Sequence, residues 1–147
     1  MGHLVQTTKV LALGVWAAFG NALSAQEVPQ AQLGAISIEL SSTEEIGEDC
    51  KLSFVVTNGH DKDIAQAVFE TVLFDSAGQV SRLTLLDFQD LPAGRLRVRQ
   101  FQFPQACADI SRVLINGAQT CSTAGLGQRA CSQGLTVTSR TKIEVLG

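Results

Sequence analysis

Short runs in which apolar and polar side chains alternate, broken at intervals of roughly a dozen residues by turn residues, commit this chain to β-structure. In GAISIELSST (34–43), Ile36, Ile38 and Leu40 share one parity, and in CKLSFVVTN (50–58), Leu52, Phe54 and Val56 oppose Ser53 and Thr57. AQAVFETVLFD (65–75) is apolar on both parities, which marks a central strand. VSRLTLLDF (80–88), RLRVRQFQF (95–103), SRVLING (111–117) and LTVTSRTKIEV (135–145) bring the expected strands to seven. The connections EEIGED, NGHDKD, SAGQ and LPAG are rich in residues that turn a chain. Asp75 is placed to accept backbone N–H groups, Gly78 supplies an unusual dihedral, and Pro92 and Gly94 shape the next reversal. No window after residue 25 sustains apolar residues at i, i+3, i+4 and i+7 over three turns. The fold class is therefore an all-β sandwich. CSTAGLGQRAC (121–131) stands out as a small-residue loop, with a helical turn expected near 127–130.

The first 25 residues stand apart. A start carrying Lys9, the uncharged run VLALGVWAAFG and the small-residue end NALSA have the order of a secretory signal peptide. The run is too short for the ~20 residues that a membrane-spanning helix needs. Cleavage after Ser24 or Ala25 fits. No Cys follows the cleavage region and no Arg-Arg pair is present, so neither a lipoprotein anchor nor the twin-arginine route is expected. Three segments result: a signal peptide (1–25), a polar tail (26–33) and one β-sandwich domain (34–147). Periplasmic or secreted localisation follows, with no membrane anchor.

Four cysteines, Cys50, Cys107, Cys121 and Cys131, all lie in the expected domain. An even count in an exported chain reads as disulfides, with three connectivities open. The positions favour Cys50–Cys107 across the fold and Cys121–Cys131 around the local loop. No two cysteines have C-x₂₋₄-C spacing and His60 is not spaced as a partner, so no zinc site is expected. Glu44, Glu45, Glu48, Asp49, Asp61 and Asp63 cluster without the calcium-loop pattern and read as solvated turns.

Other chemistry finds little footing. His60, the only histidine after the signal, lies in a polar turn, and neither a G-x-S-x-G elbow nor a C-x-x-C pair is present. No catalytic residue and no cofactor are expected, and a non-enzymatic role is. Past the signal there is no Trp and no Tyr to stack on sugars. The phenylalanines, Phe74 among them, alternate as core residues do. Removing Lys9 from the 11 Lys and Arg leaves 10 against 14 acids, a formal −4, which gives no pull toward nucleic acid.

FVVTN (54–58), VLFDSAGQV (72–80), LPAG (91–94) and the FQF end (101–103) together resemble the FxLYD family of small bacterial immunoglobulin-like domains. Phe74 stands where that family has tyrosine, and Ala93 separates Pro92 from Gly94. The resemblance spans roughly residues 52–103. It implies an immunoglobulin-like sandwich of about seven strands, here with a disulfide-stapled C-terminal loop, and an accessory binding or spacer role without catalytic residues. The four-cysteine C-terminal part lies outside it and is more like small exported proteins of Gram-negative bacteria.

RLRVRQFQF poses the main question about function. Arg95, Arg97 and Arg99 share the parity of Phe101 and Phe103, while Leu96 and Val98 take that of Gln100 and Gln102. A β-bulge near Arg99–Gln100 would turn Leu96 and Val98 inward before it and both phenylalanines inward after it. The arginines would then form a basic stripe on the solvent face. Such a stripe either protects an edge from aggregation or binds an acidic partner, an envelope protein or an anionic envelope polymer. The expected role is an exported binding or structural module of the cell envelope. The alternatives are a small periplasmic enzyme or redox accessory, and an envelope-assembly accessory that lends a sheet edge.

Overall fold

Alternation with period two resolves into eight strands in the computed structural model, which describes Met1, Gly2 and residues 34–147. The expected cleavage region and tail lie outside the described residues. The strands are β1 (Ile36–Ile46), β2 (Asp49–Asn58), β3 (Ile64–Phe74), β4 (Val80–Asp87), β5 (Leu96–Phe103), β6 (Arg112–Thr123), β7 (Thr136–Ser139) and β8 (Glu144–Leu146). One sheet runs β5-β2-β1-β7 and the other β4-β3-β6-β8. The one helical element among the described residues is a 3₁₀ turn at Cys107–Asp109. The all-β sandwich is therefore as expected, with eight strands in place of seven.

The additional strand comes from the last run. Residues 135–145 were expected as one strand, but β7 pairs parallel with β1 and β8 pairs parallel with β6. The chain thus changes sheets at residues 140–143, joining the two layers along one side of the sandwich. On the opposite side stand the two edge strands β4 and β5, each paired on one side alone.

Between the sheets, alternation puts Ile36, Ile38 and Leu40 against Leu52, Phe54 and Val56 within one layer, and Ala67, Phe69 and Leu73 in the other. All are buried, each large side chain contributing roughly 1.5–3 kcal/mol of transfer free energy. Phe88, just past β4, meets Phe54 and Phe101 of the facing sheet edge-on, with ring centroids 5.8 and 5.2 Å away. It also meets Phe69 of its own sheet at 5.5 Å. Phe74 departs from the expected core set. It occupies the outer face of β3, half-buried, with the Arg112 guanidinium 5.7 Å above its ring. Its strand is central, so neighbours on both sides cover an outward aromatic.

Turn chemistry follows the residues. Asp75 Oδ1 accepts the N–H groups of Ala77 and Gln79, both at 2.9 Å, and Gly78 adopts φ 78°. Asn58 does more than the sequence suggests. It is fully buried, its amide donating to Lys62 O at 2.9 Å and Leu91 O at 2.8 Å while its Oδ1 accepts from His60 N at 3.0 Å. One side chain thereby fixes both the β2–β3 turn and the approach to β5.

Both disulfides form as expected. Cys50 pairs with Cys107, 57 residues apart and with Cα atoms 4.7 Å from each other; Cys121 pairs with Cys131, 10 residues apart at 5.8 Å. Two disulfides are consistent with an oxidising, exported environment. No helix among the described residues is long and apolar enough to cross a membrane. Loop-closure scaling assigns about 4 kcal/mol to the long-range bridge and about 3 kcal/mol to the local one. Urea unfolding of the Cys50→Ala/Cys107→Ala and Cys121→Ala/Cys131→Ala variants should reproduce that order. A larger loss from the short loop would show that local packing, not chain entropy, sets the contribution.

Candidate binding edge

β5 pairs with β2 in unbroken register, from Cys50↔Phe103 to Thr57↔Leu96. The bulge expected near Arg99–Gln100 is absent. One parity, Arg97, Arg99, Phe101 and Phe103, faces the gap between the sheets, and the other, Leu96, Val98, Gln100 and Gln102, faces outward. Leu96 and Val98 are therefore not core residues; they are 61% and 58% exposed. Nor do Arg97 and Arg99 stand on the outer face.

The reason is the position of the strand. β5 is an edge, so its inward positions border water at the mouth between the sheets. An arginine there lays its aliphatic stem along the interior and carries its charge out to solvent. Arg99 Nε donates to Phe88 O at 2.6 Å, and its Nη2 donates to Asp90 O at 2.9 Å and Asp90 Oδ1 at 3.2 Å. Arg97 Nη2 reaches Asp90 Oδ2 at 3.2 Å. The segment they hold is tightly moulded: Gln89 sits at φ 60°, its N–H bonded to Asp87 Oδ1 at 2.8 Å and its carbonyl accepting from Ala67 N at 3.0 Å. The two arginines thus tie β5 to the end of β4 across the open side, over Phe88. Arg95 lies just before the strand, exposed, and forms no ion pair among the described residues.

Electrostatics follow the geometry. The hydrogen bond from Arg97, joined by the charges of Arg97 and Arg99, holds the Asp90 carboxyl below its ordinary value despite some opposing desolvation. Two arginines share one carboxylate, and with the exposed Arg95 next along the chain the edge keeps an excess of positive charge.

The outer face of β5 has two halves. Val98 lies opposite Val55 and Leu96 opposite Thr57, making a small apolar strip at the edge. Beyond it Gln100 donates to Ser53 Oγ at 3.0 Å and Gln102 to Asp49 Oδ2 at 2.7 Å, a polar ladder.

Other sequence candidates take structural positions. His60 is half-buried, not solvated, and its Nε2 donates to Ala130 O at 2.8 Å, tying the β2–β3 turn to the Cys121–Cys131 loop. It lines an open cleft of about 840 Å³ with Gln128, Arg129 and Gln133. The acidic residues are dispersed into local contacts: Glu44 pairs with Lys51, Glu45 accepts from Cys107 N at 2.9 Å, and Asp63 accepts from Ala93 N at 2.8 Å. Among the described residues, no three His, Cys, Asp or Glu side chains converge as a metal ion would need. Sequence reasoning missed Asp90, whose one signal was an acid lying five residues ahead of an arginine-rich strand.

No protein-family model matches the chain, and no curated protein matches it in sequence. Among solved structures it is similar to IrmA from Escherichia coli, with 16% identity and a TM-score of 0.54 over 70% of this chain and 90% of that one. At that identity the likeness is one of fold.

Two outcomes test the arginine clamp. Arg99→Met removes charged donors from Phe88 O and Asp90 and should cost about 1–3 kcal/mol in denaturant unfolding. Arg95→Gln should stay within about 0.5 kcal/mol of the parent. Equal effects would dismiss the clamp. The Asp90 interaction is present above the ordinary aspartate pKa and is lost as pH falls through the lowered one. An NMR titration of its carboxyl carbon should therefore show a midpoint below that of a free aspartate, returning upward in Arg97→Gln.

Proposed function

We propose that this chain is an exported, non-enzymatic binding module of the cell envelope, and that β5 is the edge it offers to a partner. The observation that carries the reading is the make-up of that edge. It combines backbone groups that no strand pairs, though Arg99 Nη1 donates to Val98 O at 3.2 Å, with an apolar strip at Leu96 and Val98 and more arginine than Asp90 neutralises. An extended segment laid along β5 gains main-chain hydrogen bonds, with specificity coming from its alternate side chains. The matching segment is apolar on its outward parity and acidic on its inward one. It is better matched by an envelope protein than by an anionic polymer, because a polymer supplies charge without the ladder.

Self-pairing of β5 is disfavoured by the same residues. Any antiparallel register that joins Leu96 and Val98 across a seam sets an arginine against Arg97 or Arg99. The edge rejects its own copy and keeps its preference for an acidic strand. The resemblance to accessory immunoglobulin-like domains and the pairing of all four cysteines in disulfides support a binding role over a redox one.

A photocrosslinking amino acid at Val98 should yield a discrete adduct with an envelope protein. One at the exposed Thr138, on the far side of the sheet, should not. The Val98 adduct should weaken in high salt and in Arg95→Glu. Equal crosslinking at both positions, or an adduct with polymer alone, would reject a strand-shaped protein partner.

A further inference from the structure

β4, the other edge of the open side, carries the opposite kind of surface. Val80, Leu83 and Leu85 are 63%, 63% and 49% exposed. Register places Leu83 beside Val72 of β3, Val72 beside Leu114 of β6, and Leu114 beside Leu146 of β8. One apolar row therefore crosses the whole outer face of this sheet and ends at an unpaired edge. Edges are ordinarily blunted by outward charge, proline or a covering segment. Within β4 the arginine, Arg82, points inward, and outward charge appears only at Asp87, the last residue.

We infer that β4 is a homodimer edge, at which two copies pair antiparallel about a two-fold axis through Thr84 and merge two four-stranded sheets into one of eight. Backbone geometry allows this register. Phe88 N donates to Ala67 O on β3 at 2.8 Å, so alternation turns the backbone groups of Leu86, Thr84 and Arg82 toward β3 as well. Those of Leu83 and Leu85 face the open side. With the axis at Thr84, Leu83 of one copy and Leu85 of the other exchange main-chain hydrogen bonds, and their side chains meet on the outer face. Ser81 falls opposite Asp87, and Arg82 opposite Leu86, so no like charges meet.

Arg82 supplies a separate indication. Its Nε is the one buried side-chain polar atom among the described residues that lacks a hydrogen-bond partner. Across the proposed seam its diagonal neighbour is Thr84 of the second copy, within reach of a long side chain and bearing a hydroxyl that accepts. β5 fails the same operation because of its arginines, so the two edges of one open side divide the work: β4 for self, β5 for a different chain. The inference does not depend on the β5 partner.

Sedimentation equilibrium of the purified protein tests it directly, and reports on β4 whatever the crosslinking at Val98 reveals. The parent should show a reversible monomer–dimer equilibrium. Leu83→Lys alone and Leu85→Glu alone should each weaken it by about tenfold or more, because each buries a charge against a leucine. The double variant Leu83→Lys/Leu85→Glu should recover the dimer, since the axis at Thr84 sets each lysine against a glutamate. Circular dichroism should show all three variants folded, as both positions are surface-exposed. A protein that stays monomeric across the accessible concentrations overturns the inference. So does a dimer indifferent to Leu83→Lys but lost on substitution of Leu96 and Val98, and so does a double variant no better than either single one.

Discussion

The whole arrangement hangs on one ring. Phe88 leaves β4 and enters the space between the sheets, where Phe54, Phe69 and Phe101 receive it edge-on. It is the ring that meets all three of the others, near the side where no strand crosses over. The backbone around it has to be held, because Gln89 beside it occupies a conformation that side-chain-bearing residues avoid. Asp87 fixes one end of that bend and Arg99 the other, and Asn58 anchors Leu91 just beyond. Three polar side chains from three segments thus keep an apolar contact in register. That division of labour is why a sandwich with an open side stays shut.

Much of this was legible in the chain. Strand positions followed from parity, and the Asp75 and Gly94 turns followed from residues whose side chains or dihedrals suit reversals. The pairing of the cysteines followed from their places relative to strands. Three features escaped. The run 135–145 looked like one strand because its sheet change is marked only by polar residues, without a glycine or proline to punctuate it. Asn58 looked like a surface turn residue because its partners, Lys62 and Leu91, become neighbours only in the fold.

The third feature, the phase of β5, misled for a more general reason. Apolar side chains mark the inward face when a strand is covered, and a bulge was invoked to keep that rule along RLRVRQFQF. An edge strand is covered on only one flank of its inner face, so parity loses its meaning there. Arginine, with a long apolar stem and a charge at its tip, suits the boundary better than leucine does. Leu96 and Val98 were then free to face out. The candidate site was hidden by the same physics that makes it a site: its residues violate the inside–outside pattern because they lie where the inside ends.

β7 and β8 come last in chain order, yet they complete both sheets by parallel pairing with β1 and β6. Parallel neighbours cannot form as local hairpins, and β7 joins a strand roughly a hundred residues earlier in the chain. Closure therefore cannot precede delivery of the final segment, however early the hairpins form. Until then the outer margins of both layers stay bare and the crossing at residues 140–143 is missing. If the chain is exported unfolded, as the proposed role requires, that delay is an advantage: what has emerged stays loose enough to follow, and both sheets close only after β7 and β8 arrive.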